Sequence, residues 1–309
     1  MAKVLCVLYE DPVEGYPWSY AREAIPRIER YYDGQATPSP ERIDFEPGQL
    51  LGSVSGELGL RRFLEERGHA FVVTSDKDGP DSVFERELLD AAVVISQPFW
   101  PAYLTAERIA KAPGLKLAVT AGIGSDHVDL EAAIEQGITV CEITYSNSIS
   151  VSEHVLMMIL SLVRNYIPSY QWGRQGRLEH RRLRRGAYIV NTARGKICDR
   201  DAIARALESG QLAGYAGDVW FPQPAPRDHP WRSMPHHGMT PHVSGSSLSA
   251  QARYAAGVRE ILECWFDGRP IREEYLIVDR GTLAGAGAHS YSAGDATGGS
   301  GEAARFKDR

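Results

Sequence analysis

Three polar residues, Arg194, Asp218 and His242, each lie at or just beyond the end of an apolar stretch. Residues 187–190 and 213–219 have the short, apolar composition that is typical of buried strands. An arginine fork can pair with both oxygens of a carboxylate, and it stays charged at any relevant pH. In open parallel sheets, ligands bind at the carboxyl ends of the strands. We therefore expect the three side chains to converge on one crevice, where they could bind an anion.

The segment between these two strands predicts a helix. Asp199 can cap its first turn, and Gly210 lies just past its end. Its apolar positions fit the helical period, namely Ile203, Ala206 and Leu207. Strand, helix and strand at this spacing form a βαβ unit, whose strands are parallel.

The composition indicates an ordinary globular protein of two domains. The chain has 309 residues, of which 43% are hydrophobic and 24% charged. Its net charge of −6 argues against nucleic acid as a general partner. The four cysteines form no CxxC pair, which favours reduced thiols in a cytoplasm. No apolar run approaches the roughly 18 residues of a membrane span, and the start does not resemble a signal peptide.

The N-terminal part predicts a flavodoxin-like, doubly wound α/β domain. After a first strand at 3–9 and an irregular stretch at 10–52, helices and strands alternate up to a strand at 139–142. Polar loops follow three of these strands, and the crevice rule applies to each. These loops are Gln97-Pro98-Phe99-Trp100, Gly122-Ile123-Gly124-Ser125 and Ser146-Asn147-Ser148.

A long apolar helix is predicted to follow. Ser150 and Glu153 have the spacing of a capping box, which places the helix at about 152–166. Its residues are apolar almost all round, so we expect burial on several sides, Met157 and Met158 in a core, and a two-fold homodimer built on this helix. We assign 1–146 with 246–309 to a catalytic domain, and 147–245, including the linking helix 151–166, to a truncated dinucleotide-binding domain.

Two further clusters allow alternative interpretations. The arginine-rich run 174–185 could bind an anion or nucleic acid, but the acidic chain favours a solvated helix face. Four histidines, His229, His236, His237 and His242, could suggest zinc. No helical HxxxH or CxxC spacing accompanies them, so we expect no metal site.

Several long motifs give the chain a family resemblance. They read SQPFWPAYLT, TAGIGSDHVDL, YSNSISVSEHV, NTARGK, GDVWFPQPAP, TPHVSG and GAHSYS. The chain resembles bacterial NAD-dependent formate dehydrogenases, within the D-specific 2-hydroxyacid dehydrogenase superfamily. The resemblance implies oxidation of formate to carbon dioxide by direct hydride transfer to NAD.

The resemblance also implies roles for individual residues. Arg194, Asn147 and the backbone N–H of Ile123 would hold the formate carboxylate, while Pro98 and Phe99 would wall a small pocket. His242 and Gln223 would complete the catalytic set. The implied cofactor contacts are Ser148, Thr192, Ala193, Asp218, His242, Val243, Ser244, Gly245 and Ser290.

Gln223 separates two kinds of dehydrogenase. A hydroxyacid dehydrogenase needs a base for the hydroxyl proton, and a carboxylate usually supports its histidine. Gln223 stands at that position here, and an amide orients the ring without lending charge. This favours formate, which has no proton to give, over the alternative of a 2-hydroxyacid or glyoxylate.

One feature departs from the family pattern. The sequence contains no GxGxxG fingerprint, and between Asn147 and His242 there is room only for the linking helix and one βαβ unit. We therefore expect the first half of the dinucleotide domain to be missing, with the junction near His180. A catalytically impaired, dimeric remnant of the enzyme stays open as an alternative.

Overall fold

The computed structural model describes residues 1–8, 60–175 and 186–284. Contacts divide the chain into two compact units. The first comprises Met1–Asn147 with Leu248–Arg309, and the second comprises Ser148–Ser247.

Ten strands lie within the described ranges. They are β1 (Lys3–Val7), β2 (Ala70–Thr74), β3 (Val93–Ser96), β4 (Leu117–Thr120), β5 (Thr139–Glu142), β6 (Ala187–Asn191), β7 (Leu212–Gly217), β8 (His237–Met239), β9 (Leu276–Asp279) and β10 (Thr282–Leu283).

Eight α-helices lie in the same ranges. They are α1 (Leu60–Glu66), α2 (Val83–Leu88), α3 (Ala106–Lys111), α4 (Leu130–Glu135), α5 (Ser148–Val163), α6 (Tyr166–Arg174), α7 (Arg200–Glu208) and α8 (Leu248–Phe266). None of these helices combines the length and apolar character that a membrane span requires.

The first unit is built on a seven-stranded sheet of order β10-β9-β5-β4-β3-β1-β2. Strands β1 to β5 are parallel, whereas β9 and β10 add antiparallel pairs at one side. Successive side chains of a strand point to opposite faces, so each face carries its own apolar cluster. Val93 and Ile95 belong to one cluster with α8, and Val94 belongs to the other.

The second unit has a three-stranded parallel sheet of order β6-β7-β8. Asp199 caps α7 by accepting a hydrogen bond from Ala202 N, as its position before the helix predicts. Helix α7 buries Ile203 and Leu207 in a cluster that also contains Tyr215, Trp231 and Met234. This packing places the carboxyl ends of β6 and β7 side by side, as Asn191 pairs with Gly217.

The predicted α/β class with parallel sheets is confirmed. Three strands were not predicted. β8 has the sequence HGM, which has no apolar pattern, and β9 and β10 follow α8, where the sequence predicts no strand. The predicted strand at 187–190 is confirmed as β6, but its predicted burial is wrong, because β6 pairs only with β7 among the described strands. Tyr188 on β6 is 37% exposed as a result.

The capping-box prediction for the long helix is also wrong. Helix α5 begins at Ser148, so Ser150 lies inside its first turn, where its buried hydroxyl donates to the Ser244 carbonyl at 2.5 Å. Burial of α5 on several sides is not found among the described residues, since α5 buries only Ser150 and Met158. Met157 is 47% exposed rather than in a core.

Some sequence features lie outside the described residues. These are the stretch 10–52, most of the arginine-rich run, Ser290 and the GAHSYS motif.

Candidate active site

In the second unit, Asp218 holds together the loop that carries His242. It follows β7, is completely buried, and its Oδ1 accepts hydrogen bonds from Thr240 Oγ1 at 2.6 Å and Val243 N at 2.8 Å. Its Oδ2 accepts a third hydrogen bond, from Ser244 N at 2.8 Å. A buried carboxylate needs such donors, because burial without them would penalise its charge. In this structure Asp218 therefore fixes the path of residues 240–244.

His154 extends this arrangement and was not singled out in the sequence. Its Nε2 lies 3.1 Å from Thr240 Oγ1. The single hydroxyl proton of Thr240 is used in the short bond to Asp218, so His154 donates its own Nε2 proton. This hydrogen bond between His154 and Thr240 joins α5 to the loop after β8. A histidine on an apolar helix face was the only available signal in the sequence.

Gln223 and His242 lie in direct contact. The amide nitrogen of Gln223 is 2.6 Å from His242 Nδ1. With the amide nitrogen as donor, Nδ1 is the acceptor, so a neutral His242 carries its proton on Nε2. The backbone of His242 has φ = 65°, in the left-handed region that non-glycine residues rarely adopt. The surrounding hydrogen bonds therefore hold the imidazole in one tautomer and one place.

The loop that carries Arg194 is shaped by Asn191, the last residue of β6. The Asn191 amide donates to the Arg194 carbonyl at 3.0 Å, and its Oδ1 accepts from Ala193 N at 3.1 Å. An asparagine after a strand often folds a turn in this way. Arg194 is partly exposed, and its Nη1 donates to the Ala193 carbonyl at 2.7 Å.

Gly195 allows the loops after β6 and β7 to touch. A Cβ atom on Gly195 would lie 2.3 Å from the Trp220 carbonyl carbon and 2.5 Å from its oxygen. Only glycine fits such a backbone approach without a shift. The loop of Arg194 and the loop of Gln223 are thus fixed against each other.

One of the four clustered histidines, His229, has a structural role in the second unit. Buried His229 accepts from Trp231 N at its Nδ1, and its Nε2 donates to the Phe221 carbonyl at 3.1 Å. Its ring meets Trp220 and Trp231 edge-on. The described part of the chain holds no group of three potential metal ligands.

In the first unit, the loop that carries Ile123 follows β4 and is fixed from two sides. The backbone N–H of Gly124 donates to the buried Glu142 carboxylate at 2.8 Å. The Ser125 and Thr120 hydroxyls lie 2.9 Å apart. Gly122 and Gly124 have φ = 151° and φ = 100°, so the loop turns tightly around Ile123, which is partly exposed.

Asn147 follows β5 and is anchored by α8. Its side chain is hydrogen-bonded to the hydroxyl of Tyr254, whose pKa is raised because the phenol is buried. The preceding carbonyl, that of Ser146, accepts from the buried guanidinium of Arg253 at 3.4 Å. Two consecutive residues of one helix therefore hold the end of this loop. Neither was predicted, because nothing in the helical pattern marks them.

Pro98 and Phe99 lie close to the Ile123 loop. A Cβ atom on Gly122 would be 2.8 Å from the Pro98 ring, so the two loops are in close contact. Phe99 is partly buried against the apolar cluster that contains Tyr254. Pro98, Phe99, Ile123 and Asn147 therefore lie at the carboxyl-end side of the first sheet.

Comparisons with known proteins show which family the chain belongs to. Residues 177–244 match the NAD binding domain of the D-isomer specific 2-hydroxyacid dehydrogenases. A formate dehydrogenase from Pseudomonas sp. (strain 101) is 58% identical over an alignment that covers 99% of both chains. The mitochondrial formate dehydrogenase of Solanum tuberosum is 38% identical, with 81% of this chain and 92% of the relative covered.

Solved structures extend the likeness to three dimensions. A Granulicella formate dehydrogenase is similar with a TM-score of 0.82 and 54% identity, over 92% of this chain and 100% of the other. A Staphylococcus aureus NAD-dependent formate dehydrogenase, solved in complex with NAD, gives a TM-score of 0.70 and 32% identity, over 90% and 99%. The predicted resemblance is confirmed, and the chain belongs to the formate dehydrogenases of the D-isomer specific 2-hydroxyacid dehydrogenase family.

Proposed function

We propose that the protein oxidises formate to carbon dioxide and transfers the hydride to NAD. The observation that carries this proposal is the pairing of His242 with an amide. Formate loses a hydride from carbon and has no hydroxyl proton to remove, so the reaction needs no general base. Gln223 orients the imidazole but has no negative charge to stabilise an imidazolium. The pair therefore suits hydrogen-bond donation from His242 Nε2 rather than proton abstraction.

Arg194 supplies the main charge for the substrate. Its guanidinium can bind both carboxylate oxygens and needs no proton exchange over the working pH range. The Asn191 turn and the Gly195 contact hold its backbone, which limits the freedom of the side chain. Holding the reacting carbon at about 3–3.5 Å from its acceptor is the principal catalytic device for such a reaction.

The first unit offers further carboxylate donors. The Asn147 amide is positioned by Tyr254, and the Ile123 N–H lies in a tight glycine-flanked loop. Pro98 and Phe99 provide apolar surface that displaces water, and exclusion of water strengthens the polar contacts to an anion.

The second unit fits the nicotinamide end of NAD. Val243 presents apolar surface and is 43% exposed, while Thr192 and His242 are partly exposed beside it in the strand-end loops. Ala193, Ser148, Ser244 and Gly245 are the further contacts that we propose, together with Ser290. Asp218 is buried beneath this surface and holds residues 240–244 in place through its hydrogen bonds. When bound, NAD supplies the hydride acceptor.

The diphosphate end of NAD fits less well. No GxGxxG sequence occurs anywhere in the chain, although such a loop commonly binds a diphosphate at a helix N-terminus. The missing fingerprint is the basis of our proposal that a segment near His180 is absent, with the domain limits given above.

We also propose a two-fold homodimer through α5. Its exposed apolar residues include Leu156 and Leu160, which are 57% and 52% exposed. An exposed apolar surface of this kind is typical of a subunit interface. Leu156→Glu should convert dimer to monomer in sedimentation at micromolar concentration. Leu89→Glu is the matched control, because Leu89 is 54% exposed but lies after α2. A wild-type monomer would contradict the proposal.

We expect a cytoplasmic location, which the four free cysteines support. The acidic net charge supports the expectation that nucleic acid is not a partner.

The activity is tested by the ultraviolet absorbance of NADH, with formate and NAD in excess. Arg194→Ala should lower turnover by about a hundredfold or more, whereas Arg205→Ala, an exposed arginine of α7, should not. Faster turnover with D-lactate than with formate would favour the hydroxyacid alternative. No NADH from either substrate would favour the impaired remnant.

A further inference from the structure

Gln97 is a buried amide without a hydrogen-bond partner in the described part of the chain. It directly follows β3, its side chain is completely buried, and neither Nε2 nor Oε1 is paired. Buried amides are nearly always satisfied, and leaving both ends unsatisfied is costly. An amide kept in such a place indicates a partner that is not among the described residues.

The position of Gln97 follows from the alternation of β3. Val93 and Ile95 face the apolar cluster that α8 covers, so Gln97 lies on the same face, two residues further along. The ladder continues past β3, since Ala121 N donates to the Ser96 carbonyl at 2.8 Å. Gln97 therefore lies at the carboxyl end of the sheet, where α/β proteins bind ligands.

The neighbours of Gln97 are the proposed substrate residues of the first unit. Pro98 is next in sequence and contacts Gly122, which precedes Ile123. Phe99 and Tyr254 belong to the same buried face as Gln97, and Tyr254 is bonded to Asn147. The unpaired amide thus lies at the same end of the sheet as the groups that we assign to the formate carboxylate.

We propose that Gln97 is a further substrate-binding residue, whose Nε2 donates to an acceptor oxygen at this end of the sheet. That oxygen belongs to a water molecule in the free protein and to the formate carboxylate when substrate binds. The inference rests on the proposed function for the identity of the anion. Gln97 would be a neutral donor that adds to the binding of formate without orienting the reacting carbon as Arg194 does, so its removal should raise KM rather than lower kcat.

Kinetics of two variants test the role. Gln97→Leu keeps the approximate size but removes the donor, and the KM for formate should rise by about tenfold, the loss of one hydrogen bond. Gln97→Glu should raise it further, because a carboxylate repels formate. The kcat and the KM for NAD should be unchanged, and the thermal midpoint of Gln97→Leu should not fall. Gln136→Leu, an exposed glutamine after α4, is the control.

A crystal structure of the free protein gives a readout that does not need activity. It should show an ordered water within about 3.2 Å of Gln97 Nε2. A dry amide, or an unchanged KM for formate in Gln97→Leu, would overturn the inference while leaving the proposed function intact. A wild-type protein that has the water but makes no NADH would overturn the proposed function, and with it the formate half of this inference.

Discussion

Gln223 Nε2 lies 2.6 Å from His242 Nδ1, so an uncharged amide fixes the imidazole that follows β8. The contact assigns the proton of a neutral His242 to Nε2. It also gives a direct way to change the charge of the pair without moving the loop.

The first prediction concerns Gln223→Glu. A carboxylate beside the imidazole favours the imidazolium, so it should raise the pKa of His242 by about one unit or more. The midpoint of the pH profile of kcat/KM for formate should therefore move to higher pH by the same amount. Steady-state rates between pH 5 and 9 measure it, and Gln211→Glu, at an exposed glutamine, is the control. An unshifted profile would show that the pair does not titrate during turnover.

The second prediction concerns Asp218→Asn. The new amide nitrogen would face one of the backbone or hydroxyl donors that the carboxylate now accepts from, so at least one donor would be left buried and unpaired. Unfolding free energy should fall by about 2–4 kcal/mol. Denaturant titration measures this. The exposed Asp228→Asn should stay within about 0.5 kcal/mol of wild type, and equal losses in both variants would contradict the role of Asp218.

The third prediction concerns Gly195→Ala. The added methyl would meet backbone atoms of Trp220, so one loop must move, at a cost of about 1–3 kcal/mol. The movement should also lower turnover, since it displaces Arg194 or Gln223. Gly173→Ala in α6 meets nothing within 4 Å and should be neutral or slightly stabilising. Equal melting temperatures for the two variants would refute the close approach.

The fourth prediction concerns the second sheet. Among the described strands β6 pairs with β7 alone, and alternate amides of an edge strand face away from their partner. Residues 187–191 of β6 should therefore exchange amide hydrogens faster than β4, which has a strand on each side. Hydrogen exchange followed by mass spectrometry measures the difference. Equal protection in β4 and β6 would mean that β6 is covered in solution.

The fifth prediction concerns the cofactor. Without a fingerprint for the diphosphate, the adenosine half of NAD should add little binding energy. Nicotinamide mononucleotide should then bind within about tenfold of NAD, a difference below roughly 1.4 kcal/mol. Calorimetric titration of both compounds decides the point. An NAD affinity a hundred times higher would show that other residues hold the adenosine half.

The regular part of the fold could be predicted from sequence, because local signals determine it. Strand β2 and the Asp199 cap follow from β-branched runs and from a carboxylate before a helical period. Strand β8 could not be predicted, since its three residues HGM carry no periodicity and gain their pairing only from β7.

The candidate site could be predicted in part. Strand ends identified Arg194, Asp218 and His242 as candidates, but not that Asp218 is turned inward to hold residues 240–244. That arrangement depends on donors more than 20 residues away in sequence. Gln97 was visible as part of a polar loop, yet only burial shows that its amide is unpaired.

The contact between Gly195 and Trp220 has a consequence for the exchange of loops between relatives. Since the backbone of one loop lies against the backbone of the other, neither can be transplanted alone from a dehydrogenase with a different spacing. Suppose that a chimera receives the hydroxyacid dehydrogenase loop that corresponds to the loop of Gln223. It must then also receive that enzyme's counterpart of the loop of Arg194. Substrate preference in this fold therefore depends on the loops of Arg194 and Gln223 together, and the two must be exchanged as a pair.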